Sequence, residues 1–206
     1  MDPRTPWLGP APLLLASASP TRRLLLEGAA IPVEVIAADV DERALEAEAA
    51  GLSPPDLARH LAAAKAAAVA ARHPDRVVVG ADQVLACDGT VFHKPADAEQ
   101  ARAQLARLSG RSHHLHAAVA IATGGQVRDG FVETARLTLR PLDAEAIAAY
   151  VACAGEVAVR ASVGGYQLEG VGIHLFAAVE GDHSTILGLP LLPLLARLRA
   201  AALFAF

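Results

Sequence analysis

The run Val77-Val78-Val79, followed at once by Gly80-Ala81 and the acid Asp82, constrains this chain more than any other feature. Three consecutive β-branched apolar residues suit a strand buried on both faces, and the run ends at Gly80-Ala81. Asp82 is therefore expected at the mouth of a buried strand, where a carboxylate needs a reason to be. Val84 to Phe92 reads as a short hairpin turning at Cys87-Asp88-Gly89-Thr90. Such a hairpin would fold Lys94, which stands before Pro95, back towards Asp82.

Basic-residue usage sharpens the point. Of 18 basic residues only Lys65 and Lys94 are lysines, and the other 16 are arginines. A drift that replaces lysine by arginine wherever it is tolerated leaves lysine where a compact ammonium is needed and a wide fork will not serve. Survival by chance on a solvated face is the plain alternative. Lys65 lies on a helix expected over Pro54 to Arg72, four residues after Leu61 and one after Ala64, so it borders the apolar stripe and can snorkel from it.

Bulk properties exclude several classes of function. At 206 residues with 53% hydrophobic and 19% charged content, the chain suits one globular domain over 1–206 with a loose leader over 1–10. A net charge of −4 argues against a stable nucleic-acid partner, which would call for a basic face. Cys87 and Cys153 lie far apart and form neither a disulfide framework nor a metal-ligand spacing, which fits a reducing cytoplasm. Leu13 to Ala16 is too short an apolar patch for an export signal or a membrane span.

In chain order, Leu13 to Ala16 reads as a strand. Ser19 and Pro20 are good N-cap and first-turn residues for a helix stopping at Gly28. The two hydroxyls of Ser17 and Ser19, the helix N–H groups, and Arg22 and Arg23 gather within one turn, which either makes an anion pocket or is a plain strand-to-helix turn. Val33 to Ala37 is a second strand. The carboxylates of Asp39, Asp41 and Glu42 then either form a helix-capping or solvated acidic turn, or one of them joins Asp82 in holding a divalent cation.

Further on, Asp97 caps a helix over Ala98 to Leu108. His113 to Thr123 and Phe131 to Leu139 are strands joined by Gly124-Gly125, and Asp143 caps a helix over Ala144 to Cys153. In a strand His114 and His116 share one face and His113 the other, a geometry of ordinary strand histidines rather than a metal cluster. Val163 to Gly172 is glycine-rich and irregular, offering Tyr166 as a stacking face, Gln167 as an amide and Glu169 as a carboxylate, or merely a turn before a strand at Ile173 to Val179. A polar loop over 181–185 and an apolar helix from Leu191 to about Leu203 complete the chain. Strands alternating with helices, with hairpins among them, give an α/β class with a mixed twisted sheet flanked by helices.

Several blocks carry a family resemblance: LASASPTRR at 15–23, VDE at 40–42, the helix bearing Lys65, ADQV at 81–84, HKP at 93–95, LSGRSH at 108–113, VGGYQLEG at 163–170 and GDHSTILGLPL at 181–191. The chain resembles the Maf family of nucleoside triphosphate pyrophosphatases over nearly its whole length. The resemblance implies two lobes around a central cleft, a homodimer, and divalent-metal-dependent (Mg2+ or Mn2+) cleavage of a nucleoside triphosphate to the monophosphate and pyrophosphate. It implies catalytic roles for Asp82, Glu42, Lys65 and Lys94, with Glu42 and Asp82 holding the metal. Ser17 and Arg22 match the phosphate loop, where Ser19, Arg23 and Thr21 also lie.

Gln83 and Glu169 match the branch of the family that acts on 7-methyl-GTP rather than the thymidine/uridine triphosphate branch, while Thr21 departs from both. A carboxylate can accept from both guanine N1–H and the 2-amino group, whereas uracil and thymine present carbonyls there. Tyr166 would then stack on the base. The competing expectations are a dTTP/UTP-preferring pyrophosphatase and a non-catalytic nucleotide-binding protein affecting cell division.

Overall fold

The chain is described from a computed structural model, over residues 5–206. Strand β1 (Leu13–Ala16) leads into α1 (Pro20–Gly28), whose N-cap Ser19 accepts from the Arg22 backbone N–H. Next come β2 (Val33–Val35), α2 (Glu42–Glu48) capped by Asp41, and α3 (Pro54–Ala70) capped by Ser53. Strand β3 (Val78–Cys87), β4 (Thr90–Phe92) and α4 (Ala98–Leu108) follow. The long strands β5 (Ser112–Thr123) and β6 (Gln126–Leu139) precede α5 (Ala144–Ala154) and α6 (Glu156–Ala161). Two 3₁₀ turns, β7 (Phe176–Glu180), α7 (His183–Ile186) and α8 (Leu191–Ala200) end the order.

One seven-stranded mixed sheet runs β2-β1-β3-β5-β6-β7, with β4 hydrogen-bonded to β3 off that path, and helices flank it. β1 pairs parallel with β2 and β3, and Ala16 lies opposite Gly80. β3 pairs antiparallel with β4, and β6 with β7. Contacts divide the chain into two compact units, the first holding residues up to Gln83 with 117–133 and 183–206, the second 84–116 and 134–182.

In the first unit, Leu13, Leu15, Val79 and Ala81 pack into one core with Leu26 of α1 and Leu194 of α8. Period-two alternation then turns Gly80 and Asp82 to the opposite face of the strand. That face meets α3: a Cβ on Gly80 would run into the carbonyl oxygen of Ala62 and come within 2.6 Å of the Ala66 nitrogen. Bare glycine backbone is what lets the helix lie so near. In the second unit, α4, α5 and α6 pack together and against the first 3₁₀ turn.

Several expectations change on contact with the fold. β3 does not stop at Gly80-Ala81 but continues through Asp82 to Cys87, so the acid lies mid-strand and the hairpin is the strand's own second half. One carboxylate does not end a strand when its charge has a partner on the facing helix. The hairpin does turn at Cys87-Asp88-Gly89-Thr90, with Asp88 (φ 47°) and Gly89 (φ 76°) as its two left-handed residues.

The leader is not loose from Thr5 onward: Trp7 is buried, bridges to Phe204, and donates from its indole to the Ala11 carbonyl. Residues 1–4 of that expected leader lie outside the described residues. Residues 171–175 form a 3₁₀ turn, so the strand expected at Ile173 begins at Phe176, and the expected polar loop over 181–185 contains the short helix α7. His114 and His116 do share a face of β5, with rings stacked at 5.9 Å, while His113 is buried on the other.

The Gly80 contact yields a test. Gly80→Ala should lose about 1–3 kcal/mol of unfolding free energy, as overpacking against backbone does, and should displace α3 with Lys65. Urea denaturation reads the first effect; a variant as stable as the wild type would show that the helix has room to spare.

Candidate active site

Lys65, four residues beyond Leu61 on α3, does not snorkel to solvent. It is 8% exposed, because its ammonium turns inward to the sheet, where its Nζ lies 2.5 Å from Asp82 Oδ1 and 2.8 Å from Glu42 Oε1. Three elements meet at this ammonium: Asp82 comes from the face of β3 turned to α3, and Glu42 from the first residue of α2, next to the capping Asp41. Of the acidic cluster, Asp41 caps the helix while Glu42 reaches the lysine. Asp82 is 8% exposed and its carboxylate is desolvated with Lys65, whereas the Glu42 side chain is 55% exposed.

Arg22 stands close by. Its Nη1 donates to Ser17 Oγ (2.9 Å) and to the Ala81 carbonyl (2.7 Å), and its Nε to the Gly188 carbonyl (2.8 Å). Burial draws the pKa of its guanidinium below the ordinary value, while the charges of Asp82 and Glu42 push it back up. The side chain expected to grip a phosphate is thus tied through Nε and Nη1 to two backbone carbonyls and to Ser17, linking α1 to β3 and to the residues after α7. Gln83 makes a matching tie: its Nε2 donates to the carbonyls of Thr185 (3.1 Å) and Ile186 (3.0 Å), which uses both of its donors. Gly188, at φ 90°, lets its carbonyl reach Arg22, because an added Cβ would come within 3.3 Å of the guanidinium.

The remaining candidates divide by position. Ser17 is buried at the end of β1, Ser19 caps α1, and Thr21 is half-buried in its first turn. Arg23 instead faces solvent and pairs with Glu27 at 2.7 Å, a helix-surface pair that sets it apart from the Ser17 and Arg22 cluster. In the second unit Lys94 is exposed on the loop after β4, and Glu169 is exposed on the glycine-rich segment.

Tyr166 corrects the stacking expectation. It is 4% exposed, its hydroxyl lies 2.6 Å from His113 Nε2, and its ring meets Phe176 edge-on at 5.0 Å. An aromatic ring enclosed this way supports its segment and has no face open to a base; burial accordingly pushes the phenol pKa up. Sequence reading missed the Arg22 and Gln83 ties because carbonyl acceptors leave no residue-type signature. Gly188, between Leu187 and Leu189, was the one visible sign.

Glu42 and Asp82 fit a divalent cation by chemistry: both are hard oxygen donors, converging on one positive centre, and magnesium-type ions take one or two carboxylates plus substrate phosphates. Among the described residues no cluster of three or more His, Cys, Asp or Glu could hold a metal.

A profile described as Maf-like protein matches residues 12–201. The chain belongs to the Maf-like family. It is similar to a nucleoside triphosphate pyrophosphatase of Rhodopseudomonas palustris (strain HaA2), at 54% identity over 98% of this chain and 100% of that one. A nucleoside triphosphate pyrophosphatase of Nitrobacter winogradskyi is 50% identical over 94% of this chain and 96% of its own. A 7-methyl-GTP pyrophosphatase of Rhizobium johnstonii is 51% identical over 91% and 94%. Among solved structures, a nucleoside-triphosphatase (dITP/XTP pyrophosphatase) of Mycobacterium abscessus shows 20% identity and a TM-score of 0.40 over 63% of this chain and 73% of that one, a likeness too faint to bear on the site.

His113 gives this Maf-like protein a measurable acid sensitivity. Burial depresses its pKa from 6.5 to about 4, so as pH falls from 6.5 towards 4 the unfolded chain takes up the proton first and stability declines. The stability at stake is about 3 kcal/mol, fully present above pH 6.5 and lost as pH falls through about 4. Urea midpoints of His113→Phe should vary less than those of the wild type across that window, and equal slopes would assign the acid limb to other groups.

Proposed function

We propose that this chain is a metal-dependent nucleoside triphosphate pyrophosphatase, hydrolysing a nucleoside triphosphate with water to the monophosphate and pyrophosphate. The observation that carries the reading is the Lys65 ammonium held by Asp82 and Glu42 on β3, α3 and α2. Binding of phosphate alone would not call for two acids at the same point. Membership of the Maf-like family and the names of its relatives support the same reading.

Water attacks the α-phosphorus and the bond to the β-phosphate breaks, so negative charge must be offset on the leaving pyrophosphate and a proton taken from the water. Asp82, whose carboxylate is oriented by Lys65, is the group that positions and deprotonates the nucleophile. Lys65 and Lys94 supply ammonium charge to the phosphates, and Ser17 with the N-terminal turn of α1 supplies hydroxyl and N–H donors. A divalent cation held by Glu42 and Asp82 would supply charge neutralisation at the phosphates. Arg22 and Gln83 act from behind, keeping Ser17, the Ala81 carbonyl and the turn at Gly188 in register.

The favoured substrate in this reading is 7-methyl-GTP. Glu169 is the residue that would read the base, accepting from guanine N1–H and the 2-amino group. Gln83 contributes through the turn it holds, since its donors are already taken. The relative from Rhizobium johnstonii carries that substrate in its name, and the other two relatives carry only the general activity. In this reading the enzyme works in the cytoplasm as a homodimer; free Cys87 and Cys153 suit a reducing compartment.

Two assays test these statements. Asp82→Asn should lower the rate of magnesium- or manganese-supported pyrophosphate release by about 100-fold or more, the usual scale for a lost acid–base group; near-wild-type turnover would remove Asp82 from the mechanism. Ranking kcat/KM for 7-methyl-GTP, GTP, dTTP and UTP should put 7-methyl-GTP first, and Glu169→Gln should erode that lead by about tenfold or more. A dTTP preference in the wild type would sink the guanine reading while leaving the pyrophosphatase reading intact.

A further inference from the structure

We propose that Lys65 is a resident counter-cation that holds the place of the metal: its ammonium occupies the position between Asp82 and Glu42, so a free divalent ion competes with it and enters productively only with the nucleotide's phosphates. This inference rests on the reading of Glu42 and Asp82 as the metal-holding pair.

Charge and geometry carry it. The ammonium contacts one oxygen of each carboxylate, 2.5 Å and 2.8 Å away, so the two acids that would hold a divalent cation already share one positive charge. Lys65 is only 8% exposed, so its charge is poorly screened by water and repels a second positive centre brought to the same acids. The pair of acids with Lys65 carries one net negative charge, and without it two. A bare divalent ion therefore meets a site already half-neutralised. A triphosphate changes the balance, because its oxygens give the ammonium an alternative partner and complete the metal's shell at the same time.

Lysine suits this role and arginine does not. An ammonium is a point charge on a four-carbon stem that can swing from a carboxylate to a phosphate oxygen by rotation about its χ angles, whereas a guanidinium would hold a carboxylate with two parallel bonds. In a chain whose basic residues are otherwise 16 arginines and Lys94, retention of lysine here has a physical reason. The consequence is an enzyme that does not accumulate metal at its acids between turnovers and takes the metal as a nucleotide complex.

The experiment is a titration of the nucleotide-free full chain with Mn2+, read by the loss of the free-ion electron paramagnetic resonance signal, so that no turnover is involved. Lys65→Met and Lys65→Gln should bind Mn2+ about tenfold or more tightly than the wild type, although both lose pyrophosphatase activity. Lys65→Arg, which keeps the charge, should show no gain. Adding Asp82→Asn to Lys65→Met should abolish the gain.

Unchanged or weaker Mn2+ binding in the two neutral variants would overturn the proposal, as would an equal gain in Lys65→Arg or a gain that survives Asp82→Asn. Should circular dichroism show the neutral variants unfolded, the wild type decides: Mn2+ alone should raise the rate of reductive methylation of Lys65 several-fold by releasing its amine, and an unchanged rate at saturating Mn2+ would overturn the proposal. A wild type inert towards every nucleotide would instead sink the pyrophosphatase reading, whatever the titrations give.

Discussion

A single ammonium fixed between two carboxylates is the interaction on which the rest of this structure depends. Burying Lys65 or Asp82 alone would leave a charge out of water at a cost of several kcal/mol, and each is tolerable because the other is there, with Glu42 adding a third, half-solvated charge. Removing one member of such a set leaves the others uncompensated, so the three elements that present them are tied together. The arrangement also explains why β3 runs unbroken through an acid: Asp82 is a strand residue with a partner, not a strand terminator.

That contact has a backbone precondition. Helix α3 approaches β3 over Gly80, and the approach is close enough that even an alanine methyl would collide with the helix backbone. Strand alternation puts Gly80 and Asp82 on the same face, so the residue that admits the helix and the residue that receives its lysine are two apart by necessity. On the opposite face Val79 and Ala81 fill the core with Leu13 and Leu15, which holds the strand in place while the charged face does its work.

Around this centre, two long polar side chains act as struts. Arg22 ties Ser17, Ala81 and Gly188, and Gln83 ties Thr185 and Ile186, so the chain following α7 is bound to the strand that carries Asp82. Residues that a family comparison would assign to substrate contact thus have structural partners of their own. Tyr166 is the same lesson in the second unit, where a side chain suited to stacking is enclosed by His113 and Phe176.

What the sequence by itself determined is the local grammar. Ser19-Pro20 sets the start of α1, Asp97 and Asp143 cap α4 and α5, Asp88-Gly89 makes the hairpin turn, and β-branched runs make the strands, because capping, turn conformation and periodicity are decided within a few residues. Lysine scarcity marked Lys65 as well, since residue type alone carries that signal. Only the tertiary structure decided that Lys65 is buried against Asp82 and Glu42, that Arg22 and Gln83 reach distant backbone carbonyls, and that Tyr166 is closed off. Those outcomes depend on which faces meet across tens to more than a hundred residues of chain, and on acceptors that every residue carries alike, so nothing in the local order of side chains could announce them.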